Sequence, residues 1–265
     1  MASITALMTV YHGTNAHDLE RALDSLRAQT RPADELVIVA DGPVSEGVRK
    51  VVERQDARVI WLPENVGAGP ASQAGLATID SEYTARLDSD DAAKPERFAR
   101  QLAYLEAHPE VGALGSAVEE FAETPGDTGK VRALPENPYA YAKINSPVNN
   151  PSVMLRTRAV KDVGGYNDVH FMEDYDLYAR LIAGGWQVRN LPEALTDFQV
   201  TDAQFSRRTG REMLAAELRM QRNLVSYGLI SRPRAAFNVA ARSAYRMLPT
   251  GLLRRVYAVL FHRGE

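Results

Sequence analysis

Two crowded groups of carboxylates are the residues in this chain best suited to do chemistry. The first is Asp88-Ser89-Asp90-Asp91, directly after a short apolar run, and the second is Glu173-Asp174-Tyr175-Asp176. Carboxylates packed at the end of an element raise one another's proton affinity unless positive charge lies among them. A hard divalent cation, Mg2+ or Mn2+, meets that need. It takes one or two carboxylates and completes its shell with substrate phosphates. Alternate residues of an extended segment share a face, so Asp88 and Asp90 can act together. One acid there can instead cap the helix expected after Pro95, but three exceed what a cap uses. Acids at the start of a helix, as in the second group, are favoured by the helix dipole alone. An acid placed there, separate from the first group and free of metal, also has what a general base needs. Together the groups predict an enzyme acting on an anionic, metal-bound substrate.

Asn65, Gly67, Gly69 and Gly75 either shape a loop around a ligand or make a tight turn with close helix packing. They form no P-loop, since no Gly-Lys-Ser/Thr follows, and no dinucleotide fingerprint. Arg86 can reach a phosphate or pair with Asp88. The histidines are scattered without metal-ligand spacing.

The elements that must position these residues follow from periodicity. Residues 4–11 look like an apolar strand, and Leu19, Ala22, Leu23 and Leu26 then recur at helical spacing. Residues 36–40 form a continuous apolar run, the pattern of a strand covered on both faces. Val48, Val51 and Val52 mark a helix, 58–62 a strand, 71–79 a helix and 83–87 a strand. Pro95 suits the first turn of a helix with Phe98, Leu102 and Leu105 inside, and 111–118 reads as a fifth strand. Such alternation predicts an α/β fold with a mixed, mostly parallel sheet and flanking helices. Ligands on these sheets bind at the carboxyl ends of the strands. Tyr11, Asp41, Asn65 and Asp88 all fall at or just past such ends and should converge. From 119 to 145 the pattern weakens to loop or irregular antiparallel structure. Residues 152–155 suggest a short strand and 173–183 a helix.

Composition sets the outer bounds. The chain has 265 residues, 45% hydrophobic and 25% charged, enough for one large domain or one domain with a small appendage. A net charge of −3 provides no basic field to gather nucleic acid. The lack of cysteine removes disulfides, thiolate metal sites and a thiol nucleophile, and it fits a reducing compartment. Residues 1–10 show no signal-peptide pattern, and no apolar run is long enough to span a bilayer. The last stretch, 218–265, is basic. Arg219, Arg222, Arg232, Arg234, Arg242, Arg246, Arg254, Arg255 and Arg263 face a single acid, Glu265. With Leu248, Leu252, Leu253, Tyr257 and Phe261 among them, this helical tail can lie on an anionic membrane surface. The alternative is that it packs on the main domain with its arginines paired to acids. Pro249 and Gly251 argue against one long helix.

In order along the chain, these residues resemble a family 2 glycosyltransferase of the GT-A fold. The similarity is carried by Ala6-Leu7-Met8-Thr9-Val10-Tyr11, Val39-Ala40-Asp41-Gly42-Pro43, Asn65-Val66-Gly67 and Ala85-Arg86-Leu87-Asp88-Ser89-Asp90-Asp91, the last resembling a DxD motif. It continues through Asn150-Pro151-Ser152-Val153-Met154, Gly164-Gly165-Tyr166 and Glu173-Asp174-Tyr175-Asp176-Leu177, which resemble the acceptor half and its ED motif. The nearest subgroup is the amylovoran-type transferases of exopolysaccharide and capsule assembly. The resemblance implies inverting, metal-dependent transfer of a single sugar from a nucleotide-diphospho-sugar, a UDP-sugar. The acceptor would be a hydroxyl of a glycan or lipid-linked saccharide, at the cytoplasmic face of the membrane.

The resemblance also implies residue roles. Thr9, Tyr11 and Asp41 would hold nucleobase and ribose, with Asn65 and Gly67 beside them. Arg86 and Asp88 would flank the nucleotide, and Asp90 with Asp88 would meet Mn2+ or Mg2+. Asp174 would be the general base, with Glu173 next to it, and Arg207 and Arg208 would hold phosphate charge. The implied division is a catalytic domain over 1–217, with a nucleotide-sugar half (1–118) and an acceptor half (119–217), followed by the tail. Some positions depart from the family pattern. Gln73 stands where relatives often have Asn. No histidine occurs between Phe198 and Ser206, which leaves Gln199 or Gln204 as the substitute metal neighbour. The Gln-x-x-Arg-Trp signature of processive polymerases is absent. Two rivals remain at this level, a sugar nucleotidyltransferase and a non-catalytic sugar-nucleotide binding module. The first needs a basic Gly-rich loop after strand one, and Tyr11-His12-Gly13-Thr14-Asn15 has no Lys or Arg. The second fits poorly with intact Asp90 and Asp174.

Overall fold

The computed structural model describes residues 2–200 and 211–246. Side-chain alternation along β1 (Ile4–Tyr11) sorts the core into two layers. Ile4, Ala6, Met8 and Val10 face one side, and Leu7 faces the other. The first side packs on α1 (Ala16–Arg27), α2 (Glu46–Glu53) and α4 (Arg97–Ala107) through Leu19, Leu23, Val48, Val52, Phe98 and Leu105. The second packs on α3 (Ala68–Leu76) through Ala71. Burying such residues yields roughly 1.5–3 kcal/mol each, which is why periodicity locates these elements so well.

Strands β2 (Glu35–Asp41), β3 (Arg58–Trp61) and β4 (Tyr83–Arg86) join β1 in parallel, in the order β3-β2-β1-β4. The strand order reverses between β1 and β4, which makes their carboxyl ends the switch point where such sheets bind ligands. Beyond β4 the sheet is mixed. β8 (Met154–Arg156) runs antiparallel to both β4 and β6 (Val111–Phe121), and β9 (Gln187–Gln199) runs parallel to β6. Two short strands complete it: β5 (Ala92–Ala93) on β9 and β7 (Lys130–Arg132) on β6. On the second face, α5 (Thr157–Asp162) and α6 (Glu173–Ala183) pack through Ala159, Val160, Leu177 and Leu181.

The α/β architecture is the one the sequence predicts. The long strand β9 is new. Its register jumps between the pairs Ser116–Leu191 and Ala117–Ala194, so a bulge takes up Pro192 and Glu193. Proline is tolerated in a strand at such a bulge, and this one breaks the alternation that would have marked the strand.

The C-terminal part begins with α7 (Arg211–Ser226) and α8 (Arg232–Arg246). Met213, Ala216, Met220 and Leu224 of α7 pack on Val169, Met172, Tyr175 and Ala179 at and before α6. The expected divisions after 118 and 217 fall inside β6 and α7, and both elements are continuous. The two halves share one sheet, and the first helix of the tail belongs to the domain. Arg242, expected among the membrane-facing cations, instead pairs at 2.7 Å with the fully buried Glu217 and donates to the carbonyl of Ile144. A buried carboxylate left unpaired is costly, and that cost accounts for the choice of partner. Arg207, Arg208, Gln204 and every tail residue past 246 lie outside the described residues. No helix among the described residues is long and apolar enough to cross a membrane.

Candidate active site

Tyr11 is the register partner of Asp41, and Leu7 that of Arg86, so three strand ends meet at one edge as the sequence requires. Thr9 lies beside them, paired with Val39. Asp41 is buried, and its carboxylate accepts from Val66 N (2.7 Å), Gly67 N (3.0 Å) and Asn65 Nδ2 (3.0 Å). A carboxylate has about four lone-pair sites, so one remains for a ligand. Gly42 permits this closure. Its φ is +79°, and a Cβ there would meet Asn65 N at 2.6 Å. Residues 65–67 are thus a tight loop organised by Asp41 at the entrance to α3.

Strand β4 delivers Arg86, which is nearly fully buried. Its Nη1 donates to Ser72 Oγ (2.8 Å) and its Nη2 to Asp88 Oδ1 (3.1 Å). The following acid turn is fixed from behind, because Arg21 Nη2 donates to the carbonyl of Asp90 at 2.8 Å. Within the turn the acids separate. Asp88 and Asp90 are half-buried, whereas Asp91 is sunk and accepts from Gln199 N at 2.8 Å. Burial first, then the charges of Asp90 and Asp88, push the Asp91 carboxyl well up. None of the three caps α4, whose N-cap is Glu96 and which has no side-chain cap. Arg97 is fully buried nearby and donates to the carbonyls of Arg86 (2.6 Å) and Val153 (3.0 Å). Burial pulls it down to about 9.

Among the described residues, no three acids or histidines form a ready-made metal cage. Asp88 and Asp90 offer oxygen donors only. That suits a hard cation that completes its shell with diphosphate oxygens. The unpartnered, buried Oδ2 of Asp91 and the mutual repulsion within the turn also favour positive charge there. The side chain of Gln199 reaches toward Asp18 rather than the turn.

The second acidic group opens α6 and is divided in the same way. Asp174 Oδ2 accepts from Ser146 Oγ at 3.2 Å. Asp174 and Glu173 keep partial solvent contact at the floor of the site. Burial raises both, Glu173 to about 7 with the Asp174 charge adding to it. Asp176, one turn further, is fully buried. It accepts from Asn167 and Arg180 on one oxygen and from Asn223 and Tyr227 on the other. It is a structural anchor between α6 and α7.

Helix α3 brings the two acidic groups together. A Cβ on its Gly69 would come within 2.6 Å of Asn167 O and 3.1 Å of Glu173 Cβ, while Ser72 holds Arg86. The charge of Asp88 is felt at Glu173 and Asp174 alike. The two acidic groups therefore lie within electrostatic reach of each other. Four contributors to this arrangement were not singled out from sequence: Ser146, Ser72, Arg97 and the Asn223–Tyr227 pair. Ser146 and Asn223 lie in segments with no motif, and Arg97 looks like an ordinary polar helix residue.

Known proteins share this arrangement of elements. Structures of TarS from S. aureus superpose on it, one of them in complex with UDP-GlcNAc at a TM-score of 0.66 and 16% identity, covering 90% of this chain and 71% of that one. Relatives in sequence match almost end to end. An uncharacterized glycosyltransferase of Haemophilus influenzae is 34% identical over 98% of this chain and 99% of its own. The amylovoran biosynthesis glycosyltransferase AmsE of Erwinia amylovora is 33% identical over 96% and 97%. A UDP-Gal:alpha-D-GlcNAc-diphosphoundecaprenol beta-1,3-galactosyltransferase of Escherichia coli is 29% identical over 98% and 96%. The glycosyl transferase family 2 model matches residues 5–161, from β1 through the Asp41 loop and the acid turn into α5. With the GT-A sheet, the strand-end acids and near-full-length relatives in agreement, the chain belongs to glycosyl transferase family 2.

Proposed function

We propose that this enzyme transfers one sugar from a UDP-sugar to a hydroxyl of a lipid-linked saccharide, with a divalent cation and with inversion, in cell-surface polysaccharide synthesis. One observation carries the proposal. Two acidic groups with different surroundings, Asp88 with Asp90 and Asp174 with Glu173, are held by neighbouring residues on one face of α3, Ser72 and Gly69, within electrostatic reach of each other. A relative named for a UDP-sugar donor and a diphosphoundecaprenol-linked acceptor supports the choice of substrates.

In this reaction Tyr11, Thr9 and the remaining lone pair of Asp41 hold the uridine, with Asn65 and Gly67 closing over it. Asp88 and Asp90 hold Mn2+ or Mg2+, which when bound neutralises charge on the departing diphosphate. Arg86 adds a fixed positive charge on the same side. Asp174 accepts the proton of the acceptor hydroxyl on its carboxylate, which Ser146 orients through Oδ2. The acceptor oxygen bonds to the anomeric carbon as the bond to the diphosphate breaks, and UDP leaves. Burial raises both carboxyls of this pair, and the Asp174 charge adds to the rise at Glu173.

Binding provides the test. UDP and a panel of UDP-sugars should raise the melting temperature in Mn2+ and not in a chelator. No stabilisation by any of them would remove the donor assignment. Peripheral attachment at the cytoplasmic membrane face is part of the same proposal, supported by the basic tail and the exposed Leu214, Leu218 and Phe237. The full chain should float with anionic vesicles at low salt. A version ending at Arg246, which keeps the Arg242–Glu217 pair, should float less, and equal flotation would take the last segment out of the account.

A further inference from the structure

Several buried donors around the site have no partner, Arg21 Nε and Arg97 Nη1 among them, and two of the others are Tyr166 Oη and Arg86 Nε. Tyr166 is 5% exposed and its hydroxyl makes no hydrogen bond, and Arg86 is 3% exposed and its Nε makes none. Buried polar groups are almost always satisfied, and an unsatisfied one is costly. A phenylalanine at 166 would pack against Leu76, Leu177 and Tyr178 in the same cluster without that cost. The hydroxyl therefore calls for a ligand.

The backbone is built to bring the phenol to this place. Gly164 and Gly165 have φ of +86° and +73°, and a Cβ on Gly165 would sit 2.0 Å from Gln73 Oε1. That same oxygen accepts from Tyr166 N at 2.8 Å. Neighbouring α3 residues thus hold the two orphan groups, Ser72 through Arg86 and Gln73 through Tyr166. The charges acting on the phenol are Arg86 first, then Asp174, Asp88 and Glu173. Tyr166 therefore lies between the diphosphate side and the base side. In a transfer reaction the sugar in transit occupies that position. Two unpartnered donors there call for an oxygen acceptor.

We propose that the Tyr166 hydroxyl and Arg86 Nε bind an oxygen of the transferred sugar, which makes Tyr166 a specificity-determining residue for the donor. This rests on the UDP-sugar assignment above. The test is calorimetry on Tyr166→Phe in Mn2+, with UDP and with the best-bound member of a panel of UDP-hexoses and UDP-N-acetylhexosamines. The expected result is UDP affinity within about twofold of wild type and UDP-sugar affinity lower by about five- to tenfold, the worth of one hydrogen bond. The melting temperature should be unchanged or higher, since no protein hydrogen bond is removed. Equal affinities for the UDP-sugar in both proteins would mean the hydroxyl meets only water and would overturn the proposal. So would an equal loss for UDP. A wild type that binds no UDP would instead defeat the donor assignment itself.

Discussion

Asp174→Asn should lower sugar transfer by about 10²- to 10⁴-fold, the usual contribution of a positioned base, and leave UDP affinity unchanged. The amide is isosteric and can still accept from Ser146 Oγ, so the helix start and its packing persist. What it loses is the ability to take the acceptor's proton. The pH profile gives the same role a second signature. Burial raises the proton affinity of Asp174 and Glu173. As pH falls through these raised values the base becomes protonated and transfer declines, so the acid limb should lie above the ordinary carboxylate range. The residual rate of the variant should lack that limb. If steady-state assays found Asp174→Asn near the wild-type rate, the base would have to be Glu173, because Asp176 is committed to four donors.

Asp90→Ala should abolish the cation dependence of UDP binding. In the wild type, chelating the cation should weaken UDP by well over tenfold, because in the proposed site Asp88 and Asp90 would hold a cation whose shell the diphosphate would complete. In the variant, calorimetry should return the same weak affinity with and without Mn2+. The fold should survive, since Arg21 keeps its hydrogen bond to the carbonyl of Asp90. Removing one of three crowded acids also relieves Asp91, so the melting temperature should hold or rise. A variant still tightened by Mn2+ would place the cation elsewhere.

The parts of the site carried by regular strand–helix alternation were legible in the sequence. Tyr11, Asp41, Arg86 and Asp88 sit at strand ends whose apolar runs fix the register, so their convergence follows from the sheet. The rest depends on contacts that no local pattern encodes. Ser146 arrives from an irregular segment, and Asp176 looks like Asp174 until Asn223 of α7 and Tyr227 just after it fold back onto it. Asp91 looks like the other acids of its turn, yet the end of β9 buries it, and Pro192 hides β9. A basic amphipathic helix suits a membrane or a buried acid equally well. Glu217 decides the matter for Arg242, and nothing near 242 in the sequence announces it.

The configuration of the product tests the central claim most directly. Proton NMR of the sugar transferred from an α-linked UDP-sugar should show a β-linked anomeric centre, formed only when Mn2+ or Mg2+ is present. An α-linked product, or equal turnover in excess chelator, would contradict a single in-line displacement promoted by Asp174 and the Asp88–Asp90 cation site.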